Sequence, residues 1–122
     1  MEVKLETFEP HLVTCFVSRE DLRSAYAGLE GDHSSTLTWN DGGDQVLIVA
    51  VGDDYSIVSM LDDFTWYYLQ VSPEEEPVEA CLGGQDSLVP EGVILPKALG
   101  LEVLEKADDF PALLREYSWR EQ

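Results

Sequence analysis

Between Ser24 and Pro96 the chain has no lysine or arginine, while 14 acidic residues fall in the same window. Over all 122 residues, seven Lys+Arg stand against 25 Asp+Glu, a net charge of −18. Such a chain is repelled by phosphate backbones and anionic lipid, so nucleic-acid and membrane-surface binding are excluded as expectations. Cysteine is equally sparse. Cys15 and Cys81 lie in apolar stretches, too few for a disulfide scaffold, and read as buried free thiols in a reducing cytosol. Long apolar runs are missing too. The longest, Val46 to Val51, cannot span a bilayer, and Met1-Glu-Val-Lys-Leu-Glu6 is not a signal peptide.

Catalytic vocabulary is also thin. A nucleophilic enzyme needs a base beside its nucleophile, and the only histidines are His11, in an apolar-rich segment, and His33, in the turn Gly31-Asp-His-Ser-Ser35. Both read as structural or solvated. No nucleophile elbow, phosphate-cradling glycine loop or dinucleotide fingerprint occurs. Asp41 with Asp44, and Asp53 with Asp54, lack the alternating spacing and distal Glu of a calcium loop, and the Cys/His spacing fits no zinc site. Neither a metal nor a cofactor is expected.

What is present is enough to fold. Hydrophobic residues make up 44% of the chain and aromatics 10%, which excludes a disordered acidic tail. Strands are expected at Val3–Phe8, Thr36–Trp39, Gln45–Val51, Tyr55–Leu61 and Thr65–Val71, separated by turn signals at Asn40-Asp-Gly-Gly-Asp44, Gly52-Asp-Asp54 and Asp62-Asp63. This spacing predicts an antiparallel meander. Val78–Leu82 reads as an added edge strand, and Gln85–Gly92 as a loop.

Two helices complete the expected fold. Ser18-Arg-Glu-Asp21 resembles a capping box, with Val17 and Leu22 placed as a hydrophobic staple. That helix should bury Leu22, Ala25, Tyr26 and Leu29 and stop between Gly28 and Gly31. The second should start with Pro96 in its first turn and run to about Ala107, with Leu99, Val103, Leu104 and Ala107 on one face. After Pro111, the segment reaching Tyr117-Ser-Trp119 reads as a short helix or a closing strand. The fold class is therefore α+β, an antiparallel meander packed with about two helices, as a single domain over residues 1–122.

The remaining constellation is acids among aromatics. Trp39, Tyr55, Phe64, Trp66, Tyr67 and Tyr68 interleave with Asp53, Asp54, Asp62, Asp63 and the Pro-bounded run Glu74-Glu75-Glu76. On a strand Trp66 and Tyr68 point one way and Tyr67 and Leu69 the other, so one face must carry an aromatic to the surface beside acids. Protein-binding hot spots have that composition. The expected partner-binding residues are Asp53, Asp54, Asp62, Asp63, Trp66, Tyr68, Glu74, Glu75 and Glu76.

The order of segments resembles the bacterial immunity proteins encoded beside deaminase toxins in polymorphic toxin systems. It is carried by Thr36-Leu-Thr-Trp39, Gln45-Val-Leu-Ile-Val-Ala-Val-Gly52, Ile57-Val-Ser-Met-Leu61, Asp62-Asp-Phe-Thr-Trp66, Gly84-Gln-Asp-Ser-Leu-Val-Pro-Glu-Gly-Val-Ile-Leu-Pro96, the helix that follows and Tyr117-Ser-Trp-Arg-Glu121. It spans roughly residues 34 to 121. The resemblance implies a cytoplasmic, non-enzymatic inhibitor that binds a basic toxin domain one to one and blocks its active site or substrate groove. A deaminase acting on nucleic acid needs a cationic groove, which an acidic inhibitor can occupy. The alternative is an acidic nucleic-acid mimic acting on DNA- or RNA-binding enzymes. The acidic surface opposes self-association, so the free protein is expected as a monomer.

Overall fold

Alternation and turn chemistry lay out most of the chain as strands. The computed structural model describes residues 1–29 and 34–122, so His33 lies outside the described residues. The order is β1 (Glu2–Thr7), β2 (Val13–Ser18), α1 (Arg19–Ala27), β3 (Ser35–Asn40), β4 (Gln45–Val51), β5 (Tyr55–Asp62), β6 (Thr65–Gln70), β7 (Pro77–Leu82) and β8 (Gln85–Pro90). A 3-10 turn at Glu91–Val93 follows, then β9 (Leu95–Pro96), α2 (Lys97–Glu105), α3 (Phe110–Glu116) and β10 (Ser118–Glu121). The main sheet runs β10-β6-β5-β4-β3-β1-β2, with β9 added beside β5, and every pairing is antiparallel. This is the expected α+β meander.

Period-two alternation divides the sheet into two unlike faces. One face carries Val3, Leu37, Leu47, Val49, Val58, Met60 and Leu69, all buried under the helices. The helices answer with Leu22 and Tyr26 from α1, Val103 and Leu104 from α2, and Phe110 and Leu113 from α3. Burying a Leu or Val side chain is worth about 1.5–3 kcal/mol, so this layer dominates the stability. Tyr26 reaches the core with its hydroxyl donating to the Lys97 carbonyl at 2.5 Å. Burial pushes its phenol up to about 12.

The helix starts follow capping chemistry in part. Ser18 stands at the N-cap of α1, but its hydroxyl donates to Asp21 Oδ2 at 3.2 Å instead of accepting from the backbone. Val17 and Leu22 are both buried, as the staple requires. Pro96 is the N-cap of α2 and does not lie inside its first turn. Asp109 caps α3, accepting from the Ala112 amide at 3.3 Å.

The second face is half covered. β7 and β8 form a separate two-stranded hairpin, so Val78–Leu82 is not an edge of the main sheet. The hairpin packs Ala80 and Val89, with Val93, against Ala50 and Ile57; Tyr55, Tyr68, Leu82 and Ile94 fill the margin. Gln85–Pro90 is a strand and not a loop, because the turn at Gly83-Gly84 returns it beside β7 and its Val89 finds a buried neighbour. The 3-10 turn ties down the end of β6. Gly92 accepts from Val71 and donates to the Glu74 carbonyl, both at 2.9 Å. A Cβ there would stand 2.1 Å from the Ser72 oxygen, so only glycine fits.

One strand was not expected, and two other expectations change. β2 has no alternation to announce it, because it is an edge strand exposed over Val13–Phe16, with Val17 buried. Cys15 is exposed on that strand and Cys81 is half-buried, so neither is the fully buried thiol expected; both are free. The C-terminal segment is both alternatives at once, helix α3 followed by strand β10.

Candidate functional site

The lower half of the second face, beyond the reach of the β7–β8 hairpin, is open. Antiparallel register places Trp66, Leu61, Val46 and Asn40 in one row across β6, β5, β4 and β3. The adjoining row is Arg120, Tyr68, Ser59, Ile48, Thr38, Lys4 and Phe16, from β10 to β2. Side chains opposite one another on a ladder touch. The two rows therefore form a strip whose middle, Leu61, Val46 and Ile48, is apolar, with hydroxyls at intervals and Asn40, Arg120 and Lys4 toward its ends.

At the foot of this strip the β5–β6 hairpin turns in two residues. Asp62 pairs with Thr65, leaving Asp63 and Phe64 as the loop, with φ of +47° and +75°. Positive φ at both positions is the type I′ requirement that Asn-Gly normally satisfies. Phe64 instead holds a bulky side chain there, 87% exposed. A bulky residue at positive φ is an uncommon and strained placement. Trp66, two residues on, is 37% exposed.

Acids rim this aromatic tip. Asp44 and Asp63 are exposed. Asp41 folds its carboxylate onto its own turn, accepting from Gly43 at 2.7 Å and Gln45 at 3.2 Å. Asp62 accepts from Gln45 Nε2 at 3.4 Å. Among the described residues no ion pair reaches any of these four. The cations of the ion pairs engage other acids: Arg19 with Asp108, Arg23 with Glu105, Lys106 with Glu102 and Glu116, Lys4 with Glu6, and Arg120 with Glu75.

The structure gathers some of the expected partner-binding residues and separates others. Trp66 and Tyr68 share the open face, with Tyr67 and Leu69 turned to the helices. Tyr68 is half-buried against the hairpin layer. Asp62 and Asp63 stand at the tip. Glu75 reaches the same side through Arg120, its Oε1 lying 3.0 Å from Nη2, while Glu74 and Glu76 remain exposed in the flanking loop. Asp53 and Asp54 do not join them. They occupy the β4–β5 turn at the opposite end of β5, about 25 Å away along an eight-residue strand.

The residues missing from the sequence-level site are Phe64 as the tip, and Val46, Ile48 and Leu61 as the strip. Phe64 carried a signal, since Asp62-Asp-Phe-Thr65 sits between two strands. The strip residues carried none, because nothing local says which face the hairpin leaves bare.

A half-open cleft of about 280 Å³ lies between this strip and the hairpin tip, lined chiefly by Phe8, Thr36, Ile48, Ala50, Ile57 and Leu82. The ionisable group in its wall, Glu6, is engaged by Lys4 at 3.3 Å. Among the described residues no group of three or more His, Cys, Asp or Glu is placed to hold a metal. None of the described helices is long and apolar enough to cross a membrane. No protein family, curated protein or solved structure matches the chain.

Proposed function

We propose that this chain is an immunity protein that binds a cognate basic toxin domain in the cytoplasm and blocks its active site or substrate groove. The supporting observation is the Phe64 tip, an exposed aromatic on a strained turn with Trp66 behind it and Asp41, Asp44, Asp62 and Asp63 around it. Burying such a ring in a partner's pocket yields about 2 kcal/mol. The surrounding carboxylates speed encounter with a cationic surface and reject acidic ones. The segment order's resemblance to deaminase-associated immunity proteins makes a nucleic-acid deaminase the proposed target, and the inhibitor itself performs no catalysis.

A second reading is a general nucleic-acid mimic. It is favoured by one observation, the carboxylate pairs at both ends of β5 in place of a single patch. The two separate by salt and selectivity. Tagged protein captured from its native host, washed at moderate and then high salt, should retain one dominant toxin that loses its toxicity when bound. Phe64→Ala should weaken that complex at least tenfold. A broad set of basic proteins lost at high salt, with no effect of Phe64→Ala, supports the mimic and overturns the immunity reading.

A further inference from the structure

The two edges of the main sheet are built differently. β10 is four residues long and carries Arg120 and Glu121, the short, charged edge that deters further strand pairing. β2 is six residues long, and from Leu12 to Ser18 it has no charged side chain. Leu12, Val13 and Phe16 are each more than half exposed, and Thr14 and Cys15 are exposed between them. Its inner edge pairs with β1, and its outer edge bounds the sheet. Its register with β1 is continuous, without a bulge, and the strand contains no proline. A long, flat, apolar edge is a template for another strand.

We propose that β2 pairs with β2 of a second copy, antiparallel about a two-fold axis, joining the two sheets into one continuous sheet. Charge decides the occupant. Two chains of net −18 repel wherever the Lys- and Arg-free middle of the sequence faces outward. The β2 strand is different: Leu12–Ser18 carries no charge, and although Glu2, Glu20 and Asp21 stand near its end, the cations beside it, Lys4, Arg19 and Arg23, are each in an ion pair, with Glu6, Asp108 and Glu105 respectively. It is a near-neutral strand, which fits another neutral strand better than the basic partner sought by the acidic tip. Antiparallel self-pairing is isologous and needs no second sequence. Keeping the same face up places a residue opposite itself on the axis, so Phe16 meets Thr14 or Phe16 of the second copy.

The apolar side chains and backbone edge amount to roughly a few hundred Å² per copy, at the low end for specific association, so the dimer is reversible. Its salt response is the reverse of a charge-driven complex, because added salt screens the repulsion between the two acidic bodies. This surface lies at the opposite lateral edge from β10, shares only Phe16 with the strip, and does not rest on the Phe64 tip that carries the functional reading.

Sedimentation velocity from low to high micromolar tests it. The full chain should rise from one to two chain masses with concentration, and added salt should shift the midpoint to lower concentration. Thr14→Lys with Phe16→Lys should remain a monomer throughout. Both positions are exposed, and retention of the wild-type circular dichroism spectrum and melting midpoint establishes the fold. Thr14→Lys alone gives the same readout should the double variant be unstable. A short bis-maleimide should cross-link wild type and Cys81→Ser, but not Cys15→Ser. A monomer at every concentration and salt, or a dimer indifferent to Thr14→Lys, would overturn the proposal.

Discussion

Two hairpins of this protein make the same turn from opposite residues. β7 and β8 are joined by Gly83-Gly84, with φ of +58° and +82°; β5 and β6 are joined by Asp63-Phe64, with φ of +47° and +75°. Type I′ geometry explains glycine in the first and gives no reason for phenylalanine in the second. The surroundings supply the rest. The Gly84 turn lies against Phe8, where a Cβ would come within 3.0 Å of the Phe8 Cβ, and the Gly84 amide donates to Ser34 Oγ at 2.8 Å. That turn is docked, and both conformation and contact require its residues. The Phe64 turn projects into solvent, so only conformation is violated. A bulky side chain at positive φ and 87% exposed runs against local preference without burial to offset it, which is the observation behind the proposed contact outside the fold.

Exchanging the two loops would break the comparison most severely. Placing Asp-Phe at positions 83–84 should cost about 3 kcal/mol or more, from strain added to the clash with Phe8, and should release the hairpin from the sheet. Urea unfolding would register it as a lower midpoint. Gly84→Ala is the gentler form. A single Cβ at positive φ and 3.0 Å from Phe8 should destabilise by about 1–2 kcal/mol. The reverse change, Phe64→Gly, should stabilise by about 0.5–1 kcal/mol, because strain is relieved and little packing is lost. Loss of stability in Phe64→Gly would mean that the ring supports the fold, and the proposed contact outside the fold would lose its support.

A control on the helical side has the smallest expected difference between variants. Tyr26 keeps its proton to about pH 12 in the fold against about 10 when unfolded. Its contribution is complete below pH 10 and is lost as pH rises to about 12, since the unfolded chain releases the proton first. Wild type, Gly84→Ala and Phe64→Gly should lose the same increment over that window in chemical denaturation. Unequal losses would show that a hairpin change had propagated to the helical layer.

Much of the sheet was legible because its signals are local. Alternation at Val3–Phe8, the run Gln45–Val51 and the aspartate and glycine turns each predict a strand or its end from neighbours in sequence. The staple Val17/Leu22 and the apolar face Val103, Leu104 and Ala107 did the same for helices. The alternation at Trp66–Leu69 foretold two aromatic faces. It did not say that Tyr68 would be half-covered while Trp66 stayed open, because that depends on where the later β7–β8 hairpin comes to rest.

The sequence by itself determined the meander, the helical patterning of α1 and α2 and the imbalance of charge, all of which follow from residue type and short-range period. Only the tertiary structure decided that β7–β8 crosses the second face and bares half of it. The same is true of the roughly 25 Å between Asp53-Asp54 and the Phe64 tip, and of the placement of Val13–Ser18 at the rim of the sheet. These are relations between segments far apart along the chain, fixed by which apolar surfaces can bury one another, and no local pattern encodes them.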